Sequence, residues 1–170
     1  MAVANTKSTA VTNLDSTPPV KNALAISGAV LREAVATVEI AAADCANSVY
    51  RLCRVHSSWR IADIIRYNDA ITSGTDFDVG LYQTAENGGA EADANLYADA
   101  VSLASASLTG TKDIYETGSA VGVEKIEQRI WQQLGLTADP GLFYDLCYTG
   151  FTPGSGAGTL SVRVLYVANT

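Results

Sequence analysis

Apolar residues alternate with polar or small residues along most of the chain after residue 30. The segment DFDVGLYQ (76–83) is typical, because Phe77, Val79 and Leu81 occupy every second position. A period of two is the pattern of a strand that buries one face. Strands are predicted on this basis at 35–43, 48–55, 59–67, 76–83, 94–103, 112–116, 142–150 and 159–167. One or two helical turns are the alternative for 94–103.

Short connections rich in glycine separate these segments. Glycine adopts the positive φ that tight turns require, and glycines stand at 74, 88, 89, 154 and 156. Regularly spaced short strands with such turns predict a sandwich or a barrel, and eight strands are the number in a jelly roll. The predicted fold class is therefore mainly β, an antiparallel β-sandwich of the jelly-roll type. The pattern does not define the connectivity.

One segment has the periodicity of a helix. Val123, Ile126, Ile130 and Leu134 follow one another at spacings of three and four residues, so they would share one helical face. A glycine follows the last of them, as is common at helix ends. The spacing predicts one amphipathic helix over about 123–135.

Residues 1–30 lack the alternation and are predicted to form an extended N-terminal arm, followed by a β-sandwich domain at 31–170. The segment is rich in small polar residues, includes Pro18 and Pro19, and has only isolated apolar side chains. Alone, it could not bury enough surface to offset its ordering entropy. It is therefore either a disordered leader or an arm that becomes ordered on a partner. The candidate contact residues of such an arm are Val11, Leu14, Val20, Leu24 and Ile26.

The composition argues against several classes of partner. The net charge is −7 and the eleven Lys and Arg residues form no basic run, which argues against nucleic-acid binding. No segment reaches the ~18 consecutive apolar residues of a membrane span, and no signal-peptide pattern is seen. Cys45, Cys53 and Cys147 are odd in number and widely spaced, so free thiols are expected rather than a disulfide framework.

The residues offer little catalytic chemistry. His56 is the single histidine. The chain has no nucleophile-elbow motif that would supply a catalytic serine for it, so His56 is interpreted as a surface residue in a turn. Asp76 and Asp78 should point the same way from the solvent face of one strand, as solvated charges or, alternatively, as a weak calcium site. The glycine-rich segment 152–159 lacks the ending of a phosphate-binding loop. No catalytic residue, cofactor or metal is assigned, and an enzyme is not expected.

The order of segments resembles that of small decoration (cement) proteins on the heads of tailed bacteriophages. The segments that carry the resemblance are TKSTAVTNLDSTP (6–18), REAVATVEIAAAD (32–44), VYRLCRVHSS (49–58), residues 68–103, residues 124–149 and GTLSVRVLYV (158–167). The resemblance implies a homotrimeric β-sandwich on the outer surface of the capsid, at three-fold or quasi-three-fold sites. It also implies synthesis in the host bacterial cytoplasm, a clamp on neighbouring major capsid proteins aided by the arm, and no catalytic residues.

Two other classes of binding or structural protein fit the same residues. The first is a different virion sandwich, such as a head-fibre base or a tail-associated component. The second is a carbohydrate-binding jelly-roll module, which would require clustered exposed aromatic side chains and would agree with a calcium site near Asp76 and Asp78.

Overall fold

Two four-stranded antiparallel sheets form the body of the protein in a computed structural model that describes residues 6–23, 26–116 and 118–168. The strands are β1 (Leu31–Ile40), β2 (Ser48–His56), β3 (Arg60–Asn68), β4 (Asp76–Gln83), β5 (Glu91–Val101), β6 (Ser107–Lys112), β7 (Phe143–Thr152) and β8 (Gly158–Val167). The helical elements are α1 (Thr9–Leu14), α2 (Ile130–Gln133) and two 3-10 turns, Ala85–Asn87 and Val123–Lys125.

The strand order is that of a jelly roll. One sheet has the order β1-β8-β3-β6 and the other has the order β2-β7-β4-β5. The first strand therefore pairs with the eighth, the second with the seventh, the third with the sixth and the fourth with the fifth. This is the arrangement of a long antiparallel ribbon folded over on itself. The predicted jelly-roll sandwich is confirmed.

The core lies between the two sheets and consists of the inward-facing alternate residues. Ile64 on β3 and Val162 on β8 face Phe77 on β4 and Leu146 on β7, and all four side chains are fully buried. Burial of both inner faces is what holds two sheets together in a sandwich. The alternation in the sequence therefore predicted the inward face of β4 correctly.

The outer face of the β2-β7-β4-β5 sheet is covered in part, over β4 and β7. Asp78 and Tyr82 point away from the main core but are only 8% and 7% exposed, because β5 packs against both: Ala94 contacts Tyr82 and the backbone of Ala100 contacts Asp78. The β4–β5 register shifts at three places, and Tyr82 packs with Ala94 and Cys147 in a second, small apolar cluster. The prediction that Asp78 lies on a solvent face is therefore wrong; Asp76 is half-buried.

The predicted continuous helix over 123–135 is wrong in extent. Arg129 is extended (ψ 162°) and separates the 3-10 turn from α2, which has four residues. The backbone N–H groups of Ile130 and Trp131 donate instead to the carbonyls of Trp59 (2.8 Å) and Ser57 (3.0 Å). Tertiary hydrogen bonds to the β2–β3 turn thus replace the helical ones, and only Ile130 of the four predicted face residues is fully buried.

Two other strand predictions had different outcomes. The segment 94–103 is largely strand, within β5, as favoured over helical turns. The strand predicted at 112–116 is wrong, since β6 ends at Lys112. Its continuation fails because the side chain of Asp113 turns into the core and Tyr115 has a positive φ of 60°. The three cysteines are free, as expected, with Cys147 buried, Cys53 half-buried and Cys45 exposed.

Candidate interaction surface

The N-terminal segment is folded locally by hydrogen bonds between its own residues. Ser8 is the N-cap of α1, and its Oγ accepts from the Val11 backbone N–H (3.3 Å), which is the usual N-cap contact. The carbonyl of Asn13 then accepts from the Val20 N–H (2.9 Å) and from the Ser16 hydroxyl (2.6 Å). The arm predicted as extended is therefore helical at 9–14, and a serine before TAVTNL was the available signal.

Side-chain bonds close this local structure further. The Asn13 amide donates to Asn22 Oδ1 (2.8 Å), and the Asn22 amide donates to the Ala10 carbonyl (3.2 Å). Lys7 and Asp15 form an ion pair (2.8 Å) that is about half exposed on both sides and therefore adds little stability. Polar contacts, rather than apolar burial, set the shape of residues 7–22.

The predicted contact residues of the arm have different environments. Val11, Leu14 and Val20 are exposed, at 44%, 60% and 52%. Ile26 is half-buried. Leu24 lies outside the residues that the structure describes. The local hydrogen bonds therefore leave three of the predicted apolar side chains facing outward.

The C-terminal end of the arm lies against the first residues of α2 and the residues just before that helix. Ala23 and Ile26 line a groove of about 290 Å³ together with Gln128, Trp131 and neighbouring residues. The indole N–H of Trp131 and Oε1 of Gln128 are buried without a hydrogen-bond partner among the described residues. Ile26 thus belongs to the attachment of the arm to the sandwich more than to its exposed part.

Sequence reasoning missed three exposed apolar residues at the start of the sandwich. Val30, Leu31 and Val35 are 74%, 54% and 66% exposed. Leu31 and Val35 are out of phase with Val38 and Ile40, which face inward on β1, and this phase difference was the available signal. The N-terminal apolar residues, as we call them, are Val11, Leu14, Val20, Val30, Leu31 and Val35; they are six of thirteen large exposed apolar side chains in the described chain.

Four ring side chains cluster at one end of the sandwich. The rings of Trp59 and Tyr166 stack at 4.4 Å, and Phe143 meets His56 edge-on at 4.8 Å. His56, predicted in a surface turn, is the half-buried last residue of β2 and its Nδ1 bonds to Ser58 Oγ (2.8 Å). Phe143 alone of the four is largely exposed, at 44%, so the rings mainly pack on one another.

One member of the acidic pair predicted as solvated, Asp78, has an internal role. Asp78 Oδ1 accepts from the backbone N–H of Ala100 (3.1 Å). Burial raises the pKa of Asp78 above its ordinary value; the Ala100 hydrogen bond opposes this shift, and the nearby Asp99 and Asp76 add to it. Within the described residues, no cluster of three or more His, Cys, Asp or Glu side chains is placed to hold a metal ion. In the same ranges, no helix has the length and apolarity needed to cross a membrane.

The chain is thus a jelly-roll sandwich that exposes apolar side chains along its N-terminal segment and first strand. Its fold is shared with a chain in the capsid of Ralstonia phage GP4, with a TM-score of 0.58 and 11% identity over 83% of this chain and 86% of that one. A chain of the cyanophage Pam1 capsid asymmetric unit aligns with a TM-score of 0.49 and 12% identity over 84% of this chain and 87% of that one. A chain of the acidic stable capsid of Helicobacter pylori bacteriophage KHP30 aligns with a TM-score of 0.46 and 14% identity over 83% of this chain and 95% of that one.

At these identities the similarity to the GP4 chain shows a common fold. No protein-family model matches the chain, and no curated protein matches it.

Proposed function

We propose that this chain is a structural virion protein that decorates the outer surface of a phage capsid at three-fold or quasi-three-fold sites. In this role it stabilises contacts between neighbouring major capsid proteins, acts as a homotrimer and catalyses no reaction. The observation that carries the proposal is the exposure of Val11, Leu14 and Val20 on a segment already shaped by its own hydrogen bonds. Exposed apolar side chains on a preordered segment suit burial against a partner.

Two further observations support a place on a capsid. The fold is that of a chain in the Ralstonia phage GP4 capsid, and the order of sequence segments resembles that of capsid decoration proteins. The net charge of −7 suits a position outside the shell, away from packaged DNA. A protein that binds several shell subunits at once favours the assembled state by mass action, and trimeric display adds avidity.

Deleting residues 2–26 is expected to abolish co-sedimentation with undecorated capsids. The sandwich should still fold, because β1 begins at Leu31 and every strand pairing in the described chain involves residue 31 or later residues. Circular dichroism and thermal unfolding would verify the fold. In the full chain, Leu14→Ser should weaken binding and Leu108→Ser, on the exposed surface of β6, should leave it unchanged. Undiminished binding of the truncated protein would contradict the assignment of the arm as a contact.

The purified protein is expected to be a trimer in solution, with a mass of three times 17.8 kDa. Static light scattering or native mass spectrometry measures this directly. A monomer at all concentrations would argue against the trimeric part of the proposal, because the avidity of three-fold display would then arise only on the shell.

Among the clustered rings of His56, Trp59, Phe143 and Tyr166, only Phe143 is largely exposed. This ring favours a second candidate, a carbohydrate-binding jelly roll, since sugars stack on aromatic faces. A glycan array with and without a chelator tests this candidate.

A head-fibre base or tail-associated sandwich is separated from a decoration protein by copy number per particle. Hundreds of copies would support decoration, and a few copies would support the tail or fibre role.

A further inference from the structure

The first strand of the sandwich has a long free edge. β1 is ten residues long and pairs with β8 through ten consecutive residue pairs without a register shift. On its other side, β1 pairs with no strand in the described part of the chain. A strand edge of this kind presents a row of backbone N–H and C=O groups that can pair with another polypeptide.

The other three edges of the sandwich carry features that discourage such pairing. β2 has a register shift between Arg51 and Cys53. β5 has three register shifts against β4, and β6 is only six residues long, contains Gly110 at a positive φ of 89° and has a shift against β3. Bulges and short strands are the usual protection of sheet edges, so β1 stands apart from the other edges in lacking both.

The side chains of β1 also suit an added strand. Val35, in the middle of the strand, is 66% exposed on the outer face, and Leu31 is 54% exposed on the same face. Ala36 and Val38 face the core but remain half-buried, as expected at an edge with nothing beside it. A neighbouring strand would cover both sets.

We infer that β1 is a docking edge that accepts an extended segment of a shell subunit as a ninth strand. This inference deepens the proposed function and rests on it. Strand addition takes its affinity from main-chain hydrogen bonds and its specificity from alternate side chains. The segment that fits has apolar side chains opposite Leu31 and Val35 and a basic side chain near Glu39, because Glu33 is already paired with Arg163 (2.9 Å).

The charges of β1 favour this partner over a second copy of the chain. Two copies of β1 pairing antiparallel in a continuous sheet must keep their outer faces on the same side. A two-fold centred on Ala36 would twice place Glu39 opposite the carboxylate of Glu33, which already pairs with Arg163 (2.9 Å). Glu39 would then meet a second carboxylate and no new basic partner, and like charges opposite each other are destabilising. A two-fold centred on Val35 would place Leu31 opposite Glu39 twice, so neither central register is complementary.

The test combines variants with hydrogen exchange on the full chain. Val35→Lys places a charge on the outer face of β1, where a neighbouring strand would need an apolar contact, and it is expected to weaken binding to undecorated capsids by roughly tenfold or more. Leu108→Lys is the matched control, because Leu108 is 78% exposed on the opposite edge of the same sheet, and its binding should stay within about twofold of wild type. Backbone amides of 31–40 in the wild-type chain should gain protection on capsids.

Each outcome separates the docking edge from the proposed function. Wild-type affinity of Val35→Lys, or no added protection at 31–40 in a chain that does pellet with capsids, overturns the docking edge and leaves decoration intact. Protection of 31–40 that rises with protein concentration without capsids assigns the edge to a second copy and overturns the shell partner. Failure of the wild-type chain to pellet overturns decoration and the docking edge together.

Discussion

Replacing Asp113 with alanine is expected to lower the free energy of unfolding by about 3–5 kcal/mol. Asp113 is fully buried, and its Oδ2 accepts from Arg66 Nε (2.7 Å) and from the Tyr148 hydroxyl (2.6 Å). Arg66 lies on β3 and Tyr148 on β7, so one carboxylate joins the two sheets through the core. Its removal leaves the guanidinium of Arg66, which is 5% exposed, without its counter-charge.

A double-mutant cycle separates the lost pair from the lost packing. Arg66→Met and Asp113→Leu should each destabilise strongly, while the double variant should cost less than their sum, because it leaves no buried charge unpaired. Lys112→Ala is the control in the adjacent position: its ion pair with Asp63 is at the surface, with Lys112 70% exposed, and its loss should cost about 0–1 kcal/mol. Denaturant unfolding measures the free energy of unfolding of all four variants.

Additive single-variant costs would contradict coupling between Arg66 and Asp113. A loss below about 1 kcal/mol for Asp113→Ala would show that the cavity takes in water to solvate Arg66.

The sequence predicted the regular parts of the fold well because local pattern determines them. Seven of the eight predicted strands largely coincide with strands of the structure, the eighth shares only Lys112 with β6, and the predicted bounds of 76–83 match β4. The pattern failed where a distant partner decides the conformation. The N–H groups of Ile130 and Trp131 bond to the β2–β3 turn, and the strand predicted at 112–116 ends early where Asp113 meets Arg66. Neither contact leaves a trace in local periodicity.

The candidate interaction surface was predicted in part for the same reason. The lack of periodicity in residues 1–30 singled out five apolar residues. Val11, Leu14 and Val20 are exposed, Ile26 is half-buried, and Leu24 lies outside the described residues. The free edge of β1 could not be predicted, because which strand lies at an edge depends on connectivity. The covered outer face of β4 was missed because its alternation looks the same whether solvent or β5 lies above it.

This outer layer over β4 leads to a second strong expectation: Gly80→Ala should destabilise the protein by about 1–3 kcal/mol, toward the upper end. A Cβ at residue 80 would lie 2.0 Å from the Asp93 carbonyl oxygen and 2.4 Å from the Ala94 carbonyl carbon. Both neighbours are main chain, so β5 itself must move. Arg51, which donates to the Gly89 carbonyl (2.9 Å) beside this layer, would resist that movement.

Gly158→Ala is the matched control for Gly80→Ala. Its Cβ would meet side-chain atoms of Asp69 and Ile71 at 3.2 Å, which can shift slightly, so we expect a change below about 1 kcal/mol. A second readout reports on the layer directly. Cys147 lies beneath it, and burial raises the pKa of its thiol to about 12, so a thiol reagent at neutral pH should spare it in the wild-type chain.

In Gly80→Ala, labelling of Cys147 should become fast, while labelling of the exposed Cys45 should stay unchanged and serve as the internal standard. Mass spectrometry of labelled peptides distinguishes the two. Wild-type stability together with a protected Cys147 would mean that β5 accommodates the methyl group by a small shift, and the close approach of β5 to Gly80 would then not be what fixes the outer layer. Loss of protection with unchanged global stability would instead show that the layer opens independently of the sandwich.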